Sequence, residues 1–91
     1  MSEFNMIAEI KVMPTDPEVN LDELEGKLKE ALPGKFGLAK VEREPIAFGL
    51  VALKLYVLAK DEEGYDLDQV VEAFEKVENV ESVSVGTVSR I

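Results

Sequence analysis

Ile46-Ala47-Phe48-Gly49-Leu50-Val51-Ala52-Leu53-Lys54-Leu55-Tyr56-Val57-Leu58-Ala59-Lys60 is the strongest β signal in the chain. Ile46, Phe48 and Leu50 keep one parity while Val51, Leu53, Leu55 and Val57 keep the other, and an extra residue is what shifts parity within a strand. The pattern predicts a strand over residues 46–60 with a bulge or bend near residues 49–52. Asp61-Glu62-Glu63-Gly64 then reads as a turn.

Upstream, Met6, Ala8, Ile10 and Val12 alternate with their neighbours at a period of two, so residues 4–13 read as a first strand, stopped by Pro14, Asp16 and Pro17. Asn20 is placed to cap a helix, with Glu23 three residues on, and Leu21, Leu24, Leu28 and Leu32 recur at helical spacing. That predicts a helix over residues 20–32, ended by Pro33-Gly34. Gly26 inside it reads equally as a close-packing position or a tolerated surface glycine. Phe36, Leu38 and Val41 are a weaker strand signal, interrupted by Glu44-Pro45. Downstream, Asp66 with Gln69 repeats the capping arrangement, and Val70, Phe74 and Val77 mark a second helix over residues 66–77, stopped by Asn79. Residues 82–89, with Val83 and Val85 on one side, are a last strand.

The order β-α-β-β-α-β in 91 residues allows one hydrophobic core. Two amphipathic helices and four half-apolar strands are satisfied together by a four-stranded antiparallel sheet with both helices on one face, an α+β arrangement of the split βαβ, ferredoxin-like kind. The other face meets water or a partner, and Ile7, Met13, Tyr56, Leu58 and Val88 are assigned to it by alternation.

Ten basic residues oppose 19 acidic ones, a net charge of -9. Residues 61–81 alone hold nine acids and one base, whereas residues 82–91 hold no acid and one base, Arg90. Nucleic-acid affinity comes largely from neutralising phosphates with Lys and Arg, so the balance argues against direct nucleic-acid binding and favours a basic protein partner. The RNA-binding module that shares this element order carries basic and aromatic residues on its third strand; here residues 47–53 are uncharged, with Lys54 alone following. No run of 18 apolar residues occurs to span a membrane, and residues 1–10 lack a signal-peptide pattern.

Neither cysteine nor histidine occurs, which removes thiolate chemistry, the commonest general base and the commonest zinc ligand. The acidic pairs Asp22 with Glu23, Asp61 with Glu62 and Asp66 with Asp68 fall at helix starts and in a turn, where the helix dipole and solvent account for them. The glycines match neither a dinucleotide nor a P-loop spacing, and Ser82, Ser84 and Ser89 have no histidine to activate them. No enzyme, cofactor or metal site is expected. Two places stand out. Phe48 reads on spacing as a core aromatic and, as the other reading, an interface anchor. Arg90-Ile91 pairs a basic with an apolar side chain at the last two positions, a frayed end or a probe for a partner's acidic or metal-binding pocket.

Glu44-Pro45-Ile46-Ala47-Phe48-Gly49-Leu50-Val51-Ala52-Leu53, preceded by Ile10-Lys11-Val12-Met13-Pro14 and an acidic leucine-rich helix, closely resembles the elongation factor 1-beta family, over essentially the whole chain. The resemblance implies a single exchange domain over residues 1–91, a cytoplasmic protein, and guanine-nucleotide exchange on the GTPase elongation factor 1-alpha. It implies that Phe48 contacts the GTPase. It implies also that Arg90, at the place of a penultimate lysine in the eukaryotic domain, works with Ile91 near the GTPase magnesium and phosphates. Arginine keeps the charge but is a planar fork where lysine is a compact ammonium. The rival is a ferredoxin-like module that binds a small ligand or its own copy through the uncovered sheet.

Overall fold

A computed structural model describes residues 4–91. Strand β1 spans Met6–Pro14, helix α1 Leu21–Ala31, β2 Gly37–Pro45, β3 Val51–Ala59, helix α2 Leu67–Glu75 and β4 Val80–Arg90. The strands form one sheet in the order β2-β3-β1-β4, with every neighbouring pair antiparallel. This is the expected split βαβ sheet, with β1 and β3 in its centre.

The alternation of β1 and β3 sets the core. Ala8, Ile10 and Val12 of β1 lie beside Leu53, Leu55 and Val57 of β3, and Leu24, Leu28, Val70 and Phe74 of the two helices close over them. Each fully buried aliphatic side chain contributes about 1.5–3 kcal/mol, so this shared face is what holds the helices on one side. Asn20 caps α1 by accepting the Glu23 N–H at 3.1 Å, and Asp66 caps α2 by accepting the Asp68 N–H at 2.9 Å. Gly26 is a surface glycine: a Cβ built there meets nothing within 4 Å.

Three expectations change. The strand predicted over residues 46–60 is two things: a loop, Ile46 to Leu50, and then β3. The parity change marks the end of a hairpin loop rather than a bulge, and β1 pairs β3 without a break from Met6–Ala59 to Val12–Leu53. The weak signal upstream is a full strand, β2, whose last residue is Pro45. At an edge, the missing N–H of a proline costs no sheet hydrogen bond.

The third change concerns β4. Ile10 lies opposite Val85 but Ala8 opposite Val88, so three residues of β4 span two of β1. The extra residue sits at Gly86-Thr87 beside Glu9, where a Cβ on Gly86 would come 3.4 Å from the Glu9 carboxyl carbon. Cross-strand partners share a face. The bulge therefore carries Val88 to the helix-covered side with Val83 and Val85, and alternation alone misplaced it on the open face.

Candidate functional site

The hairpin between β2 and β3 displays Phe48. Pro45 and Val51 are its last strand pair, after which Ile46 N–H donates to Leu50 C=O at 2.8 Å and Leu50 N–H to Ala47 C=O at 3.2 Å. Closing so tightly forces Phe48 to φ 60°, ψ 30° and Gly49 to φ 78°. Glycine adopts that region without a steric penalty, whereas for phenylalanine it costs on the order of 1–2 kcal/mol. Phe48 is 93% exposed. The core reading of Phe48 is thus overturned: its spacing matched a strand, but the backbone there is a turn. An aromatic held in strained backbone and exposed to water gains little from packing against the described residues.

Arg90 and Ile91 stand at the other end. Arg90 lies opposite Met6, which pairs with the last residue of β3, while Phe48 precedes the first. The length of β3 separates them by roughly 25–30 Å at about 3.3 Å per residue, along a molecule 38 Å long. The three expected residues form two poles, not one cluster.

Asn5 builds the second pole. Its N–H donates to Ala59 C=O at 3.1 Å, its C=O accepts the Ile91 N–H at 3.1 Å, and its side-chain oxygen accepts the Asp61 N–H at 2.8 Å. The Asp61 carboxylate in turn accepts from the Arg90 guanidinium. The last residues are consequently docked rather than frayed, yet both remain available: the Arg90 side chain is 71% and Ile91 67% exposed. Asn5 and the role of Asp61 escaped sequence reasoning because their partners are distant along the chain and no local pattern connects them.

Between the poles, the open sheet face is paired with itself. Lys54 bridges Glu44 at 2.9 Å and Glu9 at 3.6 Å, and Lys11 meets Glu44 at 3.1 Å. Tyr56 O–H donates to Glu42 at 2.9 Å, and Lys40 meets the same carboxylate at 3.3 Å. The hydrogen bond from Tyr56, then Lys40, holds Glu42 below the ordinary carboxylate range; Lys54 and then Lys11 do so for Glu44. Glu44 reciprocally raises Lys54. Ile7, Met13, Tyr56 and Leu58 are half-buried among these chains.

The EF-1 guanine nucleotide exchange domain family matches residues 7–91. The chain belongs to that family. It is 84% identical to the elongation factor 1-beta of Thermococcus gammatolerans and 72% identical to that of Pyrococcus horikoshii, in both cases over the full length of both chains. The elongation factor 1-beta of Natronomonas pharaonis is 49% identical over 92% of this chain and 94% of its own. In shape alone, the exchange domain resembles the C-terminal domain of MgtC from Mycobacterium tuberculosis, with TM-score 0.63, 13% identity, and coverage of 94% of this chain and 90% of that one. A putative glycine cleavage system transcriptional repressor has TM-score 0.62 at 14% identity, covering all of this chain and 51% of its own. As an exchange factor, the protein changes a GTPase's nucleotide and transforms no substrate of its own.

Proposed function

We propose that this single domain works on elongation factor 1-alpha by gripping it at two poles, Phe48 anchoring one part of the GTPase while Arg90 and Ile91 disturb the other. The exchange of GDP for GTP on elongation factor 1-alpha is the function of the protein, and the two-pole assignment is how its geometry supports that function. The observation that carries the reading is the exposure of Phe48 in a strained turn, at the far end of the sheet from a docked, exposed Arg90-Ile91.

Release of GDP needs no covalent step. A factor that binds the nucleotide-free GTPase more tightly than its GDP form shifts the equilibrium by that difference, and linkage makes the effect reciprocal. GDP is held partly through Mg²⁺ on its phosphates, so a cation brought to that region competes with the metal while an apolar side chain disfavours its hydration. Arg90 supplies the first and Ile91 the second. A cytoplasmic location is the reading that action on a translation factor supports. Release of fluorescent GDP from the cognate GTPase tests the assignment: Phe48→Ala and a chain ending at Ser89 should each slow it, and acceleration equal to that of the intact chain by both removes the assignment.

A further inference from the structure

A small apolar pocket opens beside the second pole. Its walls are Met6, Ala8, Ala59, Leu67 and Val88, and Val88 is 43% exposed. The bulge at Gly86-Thr87 creates it: by turning Val88 to the helix side, it sets an apolar side chain where α2 no longer covers the sheet. Lys60, Asp61 and Glu62 stand on its rim, and Asp61 is paired with Arg90, but residues 61–68, which run from that rim into the start of α2, hold five acids and no base, so the surround of the apolar floor is acidic on balance. The volume is about 110 Å³. A dry cavity of roughly 150 Å³ holds one benzene, and small-molecule sites run to about 300–1,000 Å³, so a nucleotide is excluded and a single side chain fits.

We infer that this pocket is a docking socket for the GTPase, taking one aliphatic side chain of elongation factor 1-alpha that has a lysine or arginine beside it. The inference rests on the two-pole reading for its location, since Arg90 shares a face with Val88 and reaches Asp61, which lines the pocket. Charge complementarity selects the neighbour of the inserted side chain. The acidic surround, residues 61–68 within a stretch of residues 61–81 that holds nine acids and one base, outweighs Lys60 on the rim, repels a second copy of the chain and attracts a basic surface. The socket contributes affinity, whereas Arg90 and Ile91 contribute to the maximal rate.

That division makes the test. GDP release from the cognate GTPase is followed as the full chain is titrated. Val88→Lys places a cation on the apolar floor and should raise the half-saturating concentration about tenfold with an unchanged plateau. Val88→Thr, close in shape, should raise it by a smaller factor and guards against a folding defect in the lysine variant. Thr87→Lys adds the same charge on the same strand outside the pocket and should stay within about twofold of the unsubstituted chain. A Val88→Lys titration that overlays the original curve, or a Thr87→Lys shift of equal size, overturns the socket. So does sedimentation equilibrium showing a dimer that Val88→Lys dissolves, because the occupant is then a second copy. Should a chain ending at Ser89 keep its full plateau while Val88→Lys still shifts the midpoint, the role of Arg90 and Ile91 falls and the socket stands.

Discussion

The two poles are built by opposite means. Phe48 is presented by its immediate neighbours: Pro45 ends the strand, Gly49 turns, and two backbone hydrogen bonds within five residues fix the loop. Arg90 and Ile91 are presented by the rest of the fold, through Asn5 just before β1 and Asp61 just past β3. One pole therefore stores strain in a local turn, and the other depends on tertiary pairing. Local opening of the sheet at that end would release Arg90 and Ile91 while leaving the Phe48 turn intact.

The largest expected effect breaks the comparison most directly. Removing Arg90 and Ile91 should lower the plateau rate of GDP release by tens of fold, since a charge-assisted contact contributes about 1.5–3 kcal/mol. Phe48→Ala should instead raise the half-saturating concentration about tenfold or more, as expected of an exposed aromatic that becomes an anchor. Carrying both changes in one chain sharpens the point: groups farther apart than about 7–10 Å that share no partner act independently, so the two losses should multiply. A double variant no worse than either single one would mean that the poles act as one site.

The difference between the poles also explains what the sequence could reveal. The central alternation of Ala8, Ile10 and Val12 with Leu53, Leu55 and Val57, and the Asn20 and Asp66 caps, are local patterns whose meaning does not depend on distant contacts. They led directly to the sheet, its covered face and both helices. Phe48 misled because Ile46, Phe48 and Leu50 imitate a strand, and only the closure of the hairpin decides that they form a turn. Val88 misled because a bulge depends on its partner strand, and Gly86 beside Glu9 is visible only once β1 and β4 pair. Asn5 carried no signal at all, since its importance is the sum of three contacts to residues remote in the chain. Pattern made Phe48 and Arg90-Ile91 stand out but left a core aromatic and a frayed end open as readings, and only the family resemblance favoured contact.

A smaller effect probes the stored strain. Phe48→Gly removes a left-handed phenylalanine but adds chain freedom in the unfolded state, costs of about 1–2 and 0.5–1 kcal/mol respectively, so the free domain should be equally stable or up to about 1.5 kcal/mol more stable. Exchange should suffer as in Phe48→Ala. Thermal unfolding that shows a clear loss of stability would place the ring in packing that the exposed turn does not provide, and would undo the contrast between a strained pole and a tethered one.

The smallest effect concerns the charged face that spaces the poles apart. Glu44 is held below its ordinary value of 4.5 by Lys54 and then Lys11. A carboxyl group whose folded pKa is depressed adds stability above its unfolded pKa and loses it as pH falls through the folded one. Glu44→Gln should therefore lower the melting temperature slightly at pH 7, and the gap between the two proteins should narrow below pH 4.5 as the carboxylate takes up its proton. Screening argues for a modest gap, since these side chains are partly exposed, and added salt should narrow it as well. Both poles lie outside this network, so the substitution should leave the plateau and the midpoint of GDP release where they were. A changed midpoint at neutral pH would instead assign the open face to the GTPase interface, and the molecule would then have a contact along its length rather than two at its ends.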